Sequence, residues 1–93
     1  MFIVITYDVV EDDRRTRLSK MLCDFGRRVQ KSVFECVLTE KQYLDLKARL
    51  DRQIDHEVDT IRYYHLCQRC VPAVEFTGTG TGPEDETDGV IIV

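Results

Sequence analysis

The run FIVITYD at residues 2–8 ends in an aspartate, and three more acids (Glu11, Asp12, Asp13) and three arginines (Arg14, Arg15, Arg17) follow by residue 17. Two kinds of chemistry could use such residues. A carboxylate is a hard oxygen ligand suited to Mg²⁺, which takes few protein carboxylates and keeps several waters that a phosphodiester can partly replace. Guanidinium groups stay charged and grip phosphate oxygens in a fork geometry. Asp8 is therefore a candidate metal ligand. Arg14, Arg15, Arg17, Arg27 and Arg28 are candidate phosphate contacts, which position a nucleic acid without reading its sequence. Each has a plainer reading. A strand-end aspartate often serves as a cap or turn residue, and arginines near Glu11, Asp12 and Asp13 often form a solvated helix face. Two separate arginine pairs close to one carboxylate favour phosphate binding.

The charge distribution agrees. The chain carries a net charge of −4 over 93 residues, which on its own argues against a nucleic-acid partner. From Arg14 to Lys31, however, seven basic residues face a single acid, Asp24, for a local charge of +6. The segment PEDETDG contributes −4 through Glu84, Asp85, Glu86 and Asp88, so the rest of the chain is neutral overall with one concentrated basic region.

These residues must be positioned by a small α+β domain. Residues 2–8 are β-branched and aromatic enough for a central strand, with Ile3, Ile5 and Tyr7 on one face and Phe2, Val4, Thr6 and Asp8 on the other. The acids at 11–13 suit a helix N-terminus as caps and through the dipole. Leu18, Met21, Leu22 and Phe25 then mark an amphipathic helix over about 12–25, with Gly26 as a left-handed cap. RRVQKSVFECVLT reads as two short strands, because its alternation changes phase near Lys31 and Ser32. TEKQ at 39–42 is a capping box, and Tyr43, Leu46, Leu50 and Ile54 carry a second helix to about Gln53. DTIRYYHLC is a further strand, and AVEF at 73–76 a possible short fifth one. The order strand, helix, strand, strand, helix, strand predicts a ferredoxin-like, split βαβ sheet over residues 1–76 with two helices on one face. The open face calls for a partner. Residues 77–93 form a Gly-rich acidic linker ending in the apolar VIIV, which predicts a C-terminal extra strand added to a sheet edge.

Other motifs carry less. Cys23 and Cys36 sit among apolar neighbours and read as core residues, while CQRC with His65 offers a possible zinc or redox cluster that lacks a second cysteine pair. His65 alone on a strand reads as a structural histidine. GTGTG follows no helix-forming segment, so it is not a phosphate loop of the nucleotide-binding kind. The start MFIVITYDVV resembles no secretory leader and no run reaches the ~18 apolar residues of a membrane span, so a cytoplasmic location with reduced thiols and no membrane partner is expected.

ITYDV, RRTRL, FGRRVQKSVFEC and DTIRYYHL together resemble the CRISPR-associated protein two family over residues 2 to about 76, with GRRVQKSVFE as the most specific piece. The resemblance implies a ferredoxin-like homodimer of the spacer-acquisition module that works beside an integrase, CRISPR-associated protein one. It also implies binding of DNA or RNA and, in several members, magnesium-dependent nuclease activity. Carried over by position, Tyr7 and Asp8 fall on the strand-end catalytic pair, Asp8 being the metal ligand. Arg15 and Arg17 fall on the helix arginines, and Arg28 and Phe34 on the second-strand nucleic-acid motif. One aspartate per chain makes a poor metal site, whereas two Asp8 residues facing across a dimer axis would make a better one. Two alternatives stay open: a non-catalytic scaffold bridging integrase dimers, and a small-ligand regulatory module on the same fold.

Overall fold

The computed structural model describes residues 1–69, 71–73, 75 and 77. Four strands and two helices occur in the expected order: β1 (Phe2–Asp8), α1 (Asp12–Cys23), β2 (Gly26–Gln30), β3 (Val33–Val37), α2 (Glu40–Asp51) and β4 (Thr60–Leu66). The strands form one sheet in the order β2-β3-β1-β4, with every neighbouring pair antiparallel. The predicted ferredoxin-like α+β arrangement is therefore the one the chain adopts.

Register decides what each face does. Ile5 pairs with Phe34 on one side and Tyr63 on the other, so these three share a face, and Ile3, Cys36 and His65 extend it. Leu18 and Leu22 of α1 and Leu46 and Leu50 of α2 join Ile3, Ile5, Phe34 and Cys36 in a single core, all fully buried. Both helices thus cover that face. The opposite face carries Val4, Thr6, Val33, Val37, Arg62 and Tyr64, and neither α1 nor α2 covers it. Val37 and Tyr64 remain 48% and 47% exposed.

The ends of the elements differ in instructive ways. α1 begins at Glu11, whose side chain makes no capping bond; its carboxylate instead accepts from Arg14 at 3.3 Å. The acids Asp12 and Asp13 stand in the first turn, where they oppose the dipole. α2 does have its capping box, with Gln42 N–H donating to Thr39 Oγ1 at 3.1 Å and Thr39 N–H to Gln42 Oε1 at 2.9 Å. Gly26 is not a left-handed cap. The helix closes on Asp24 in right-handed geometry, and Gly26 opens β2 opposite Cys36. A Cβ there would stand 2.5 Å from Cys36 Sγ and closer still to the Glu35 carbonyl, so glycine is needed for strand approach.

The turn between β2 and β3 falls at Lys31–Ser32 as read, while the extra residue of the bulge is Val29, since Arg28 pairs with Phe34 and Gln30 with Val33. Cys36 is buried as expected, which raises its thiol to about 11, chiefly by desolvation and further by Glu35. Cys23 is exposed, because the last turn of α1 directs it away from the core. Of the possible fifth strand, Ala73 instead closes a 3₁₀ turn, Val71–Ala73. Val74, Phe76 and the VIIV segment lie outside the described residues, as does Cys70 of the CQRC motif.

Candidate functional site

Asp8 is the last residue of β1, opposite Thr60 of β4. Its side chain is exposed, and no described residue engages the carboxylate. Tyr7, one residue earlier, points to the other face by strand alternation and is buried, 5% exposed. Its hydroxyl donates to the Lys31 carbonyl at 3.1 Å and its N–H to the Ser32 carbonyl at 3.1 Å. Tyr7 therefore ties the β2–β3 turn to the end of β1, with its phenol directed into the fold.

Arg28 converges on the same turn. Its Nε and one terminal nitrogen donate to the Lys31 carbonyl at 3.1 and 2.7 Å, and its guanidinium carbon lies 6.0 Å from the Phe34 ring centre. Phe34 itself is fully buried and stacked against Tyr7 at 6.3 Å, so it cannot offer a face to a base. It supports Arg28 from beneath instead. Across from this turn, Arg15 donates to the Val9 carbonyl at 2.9 Å and pairs with Asp12.

Between the end of β1, α1 and the β2–β3 turn lies a groove of about 620 Å³. Four cations line it: Arg15 and Lys20 from the helix, Arg28 and Lys31 from the hairpin. Thr16, Ser19 and Ser32 add hydroxyls, and Asp8 is the single carboxylate, leaving the groove a net +3. Lys20, Lys31 and the three hydroxyls were missed as site residues in the sequence. The signal available was the spacing of Arg15, Ser19 and Lys20 along one side of α1, which becomes meaningful only once the hairpin faces it.

The other candidate arginines lie elsewhere. Arg17 is exposed and does not line the groove. Arg14 is turned inward, its Nε donating to Asp59 Oδ2 at 2.8 Å and a second nitrogen to Oδ1 at 3.4 Å. The Asp59 side chain is fully buried and also accepts from the N–H groups of Val10 and Asp55 at 3.0 and 2.9 Å. Hydrogen bonding to Arg14 first, then to these amides, pulls its carboxyl down to about 2, against the opposing effect of desolvation. The same contact raises Arg14. Arg14 thus clamps the α2–β4 loop to the start of α1, where a phosphate would have to compete with a buried carboxylate. Arg27 is on the face of β2 opposite to Arg28, and pairs with Glu35 across the strands at 3.3 Å, both side chains nearly buried.

His65 behaves as a structural histidine, its Nε2 3.2 Å from the Tyr43 hydroxyl and its ring edge-on to Tyr43 at 4.8 Å. Among the described residues no group of three His, Cys, Asp or Glu could hold a metal. Nor is any helix among them long and apolar enough to cross a membrane. Asp8 fits a hard divalent cation as one ligand: it is exposed, uncommitted and beside a cationic groove that an anionic substrate could enter. A single chain supplies that one carboxylate only.

Known proteins share this architecture. The sequence pattern of the family described as "CRISPR associated protein Cas2" matches residues 1–74. The chain is 43% identical over 93 residues to a Chloroflexus aurantiacus protein named "CRISPR-associated endoribonuclease Cas2 1", covering 99% of this chain and 100% of that one. The crystal structure of Streptococcus pyogenes Cas2 superimposes with a TM-score of 0.76 at 38% identity, over 84% of this chain and 100% of that chain. A chain of a structure titled "Partial Cas6-RT-Cas1--Cas2 complex" matches with a TM-score of 0.73 at 27% identity, over 99% and 98% of the two chains. Family pattern, sequence identity over the whole length and fold all agree, and the chain belongs to the CRISPR-associated protein Cas2 family.

Proposed function

We propose that this chain works in CRISPR adaptation as a homodimer that holds nucleic acid by its phosphates, docks a Cas1-type integrase, and hydrolyses phosphodiester bonds with Mg²⁺. The observation that carries this reading is the convergence of Arg15, Lys20, Arg28 and Lys31 beside the uncommitted carboxylate of Asp8. The names of its relatives, which include endoribonuclease and a Cas1–Cas2 complex, support the reaction class and the partner. In this reading Asp8 and its symmetry mate hold the Mg²⁺, which when bound polarises a phosphate oxygen and lowers the pKa of a water. The residues of the chain do the rest. Arg15 and Arg28, each held by a backbone carbonyl, present preset donors to phosphate oxygens, so little side-chain entropy is lost on binding. Tyr7 fixes the turn that carries Arg28 and Lys31.

A second reading is favoured by one observation: Asp8 is the single acid of the groove, and the nearby Tyr7 hydroxyl is already committed. A site so poor in general bases suits a scaffold that grips nucleic acid between integrase subunits without cutting it. Asp8→Asn separates the two. Cleavage of RNA and DNA is measured with and without chelator, alongside spacer integration by the complex with the Cas1 partner. Loss of cleavage with integration intact identifies the bridge as the function. Loss of both makes the carboxylate essential, and wild-type cleavage that remains sensitive to chelator would place the metal elsewhere.

A further inference from the structure

We infer that the groove between β1, α1 and the β2–β3 turn is a receptor for the terminal phosphate of a nucleic-acid strand, one in each chain. The inference rests on the functional reading above and narrows it from phosphates in general to a phosphomonoester.

Shape and chemistry both point there. The groove has a floor, since Tyr7 and Val9 beneath it are 5% and 3% exposed, and it is walled by α1 on one side and the hairpin on the other. About 620 Å³ suits a ligand the size of a nucleotide, within the range of small-molecule sites. Its donors fall into two sets. Arg15 and Arg28 are oriented by the carbonyls of Val9 and Lys31, Arg15 also pairing with the exposed carboxylate of Asp12, with other N–H groups left over on each. The Lys20 and Lys31 ammonium groups and the hydroxyls of Ser19 and Ser32 have no hydrogen-bond or ion-pair partner among the described residues.

Four cations around one small recess exceed what a diester needs. A diester carries a single charge, whereas a monoester carries about −1.5 to −2 near pH 7 and has three terminal oxygens to accept hydrogen bonds. Asp8 at the rim repels the same anion, so its neutralisation should strengthen binding when no divalent cation is present.

The test uses the full chain and fluorescence anisotropy on three otherwise identical oligonucleotides: 5′-phosphorylated, 3′-phosphorylated and unphosphorylated, without divalent cation. A terminal phosphate should tighten binding by about tenfold, the effect of one further charge-assisted hydrogen-bond set. Lys20→Ala with Lys31→Ala should weaken all three strands and erase that advantage, so that the three bind alike. Both side chains are exposed, and circular dichroism checks that the double variant folds. Asp8→Asn should enlarge the advantage. Equal affinities for the three strands, or an advantage that survives the lysine variant, overturn the inference while the broader function stands. AMP binding as tightly as the phosphorylated strand overturns the strand terminus in favour of a free nucleotide. Failure of every oligonucleotide to bind overturns the functional reading as well.

Discussion

Asp59 shows how much one side chain can hold. Its two oxygens accept from Arg14, Val10 and Asp55, joining the exit of β1, the first turn of α1 and the loop before β4. Because hydrogen bonding to Arg14 holds its carboxyl at about 2, below the ordinary 3.8, the unfolded chain takes up this proton at higher pH than the folded one. The stabilisation is therefore present above about pH 4 and is lost as the pH falls toward 2. Asp59→Asn should lower the melting temperature at pH 7, and the gap to the wild-type protein should narrow steadily over that window. A gap independent of pH would mean the charge of Asp59 is not what joins these segments. Gly26 is the other single residue on which much depends. Gly26→Ala should cost about 1–3 kcal/mol in chemical denaturation, as overpacking does, because the atoms a Cβ would meet include the Glu35 backbone.

Among the elements, the β2–β3 hairpin has the closest connection to the candidate site. Two carbonyls of its turn accept three side-chain hydrogen bonds and one backbone bond from Tyr7 and Arg28, and this is what places Lys31 opposite Lys20. Tyr7→Phe keeps the ring in the core and removes the hydroxyl. It should weaken nucleic-acid binding several-fold, about what one hydrogen bond of 0.5–1.5 kcal/mol conveys, and raise amide exchange at 31–33 with the rest of the sheet still protected. Unchanged exchange in the turn would sink the positioning role. The capping box of α2 is a purely structural counterpart, and Thr39→Ala should cost about 0.5–2 kcal/mol without touching the groove.

For the whole molecule, the decisive feature is a sheet with helices on one face and Val4, Val33, Val37 and Tyr64 on the other. Such a face is expected to pair with a second copy, which would also supply the second Asp8. Val37→Glu should leave a folded monomer in light scattering at micromolar concentration, and chelator-sensitive cleavage should disappear with the dimer. A dimer that persists would move the interface off this face. If six to eight phosphates are held per dimer, the logarithm of affinity for duplex should fall with the logarithm of salt at a slope of roughly −5 to −7. Replacing Arg15, Arg17 and Arg28 by alanine should flatten that slope, and a flat response in the wild-type protein would make the basic segment a solvated surface only.

Much of this was present in the order of the residues. Strand alternation at 2–8, helical spacing at Leu46 and Leu50, the TEKQ box and the phase change at 31–32 are local patterns, and local patterns survive into the fold because each is set by the backbone period. The same rule separated Tyr63 from Tyr64 and Tyr7 from Asp8. What the sequence could not decide was which cation meets which partner. Arg14 and Arg15 are neighbours, yet one is bound to an acid 45 residues away and the other faces the groove. Arg27 and Arg28 divide between the two faces of the sheet, with Glu35 holding the first. Phe34 and Gly26 likewise took their roles from the strand beside them. These outcomes depend on contacts between distant segments, and only the packing of β1, α1 and the hairpin around one recess assigns them.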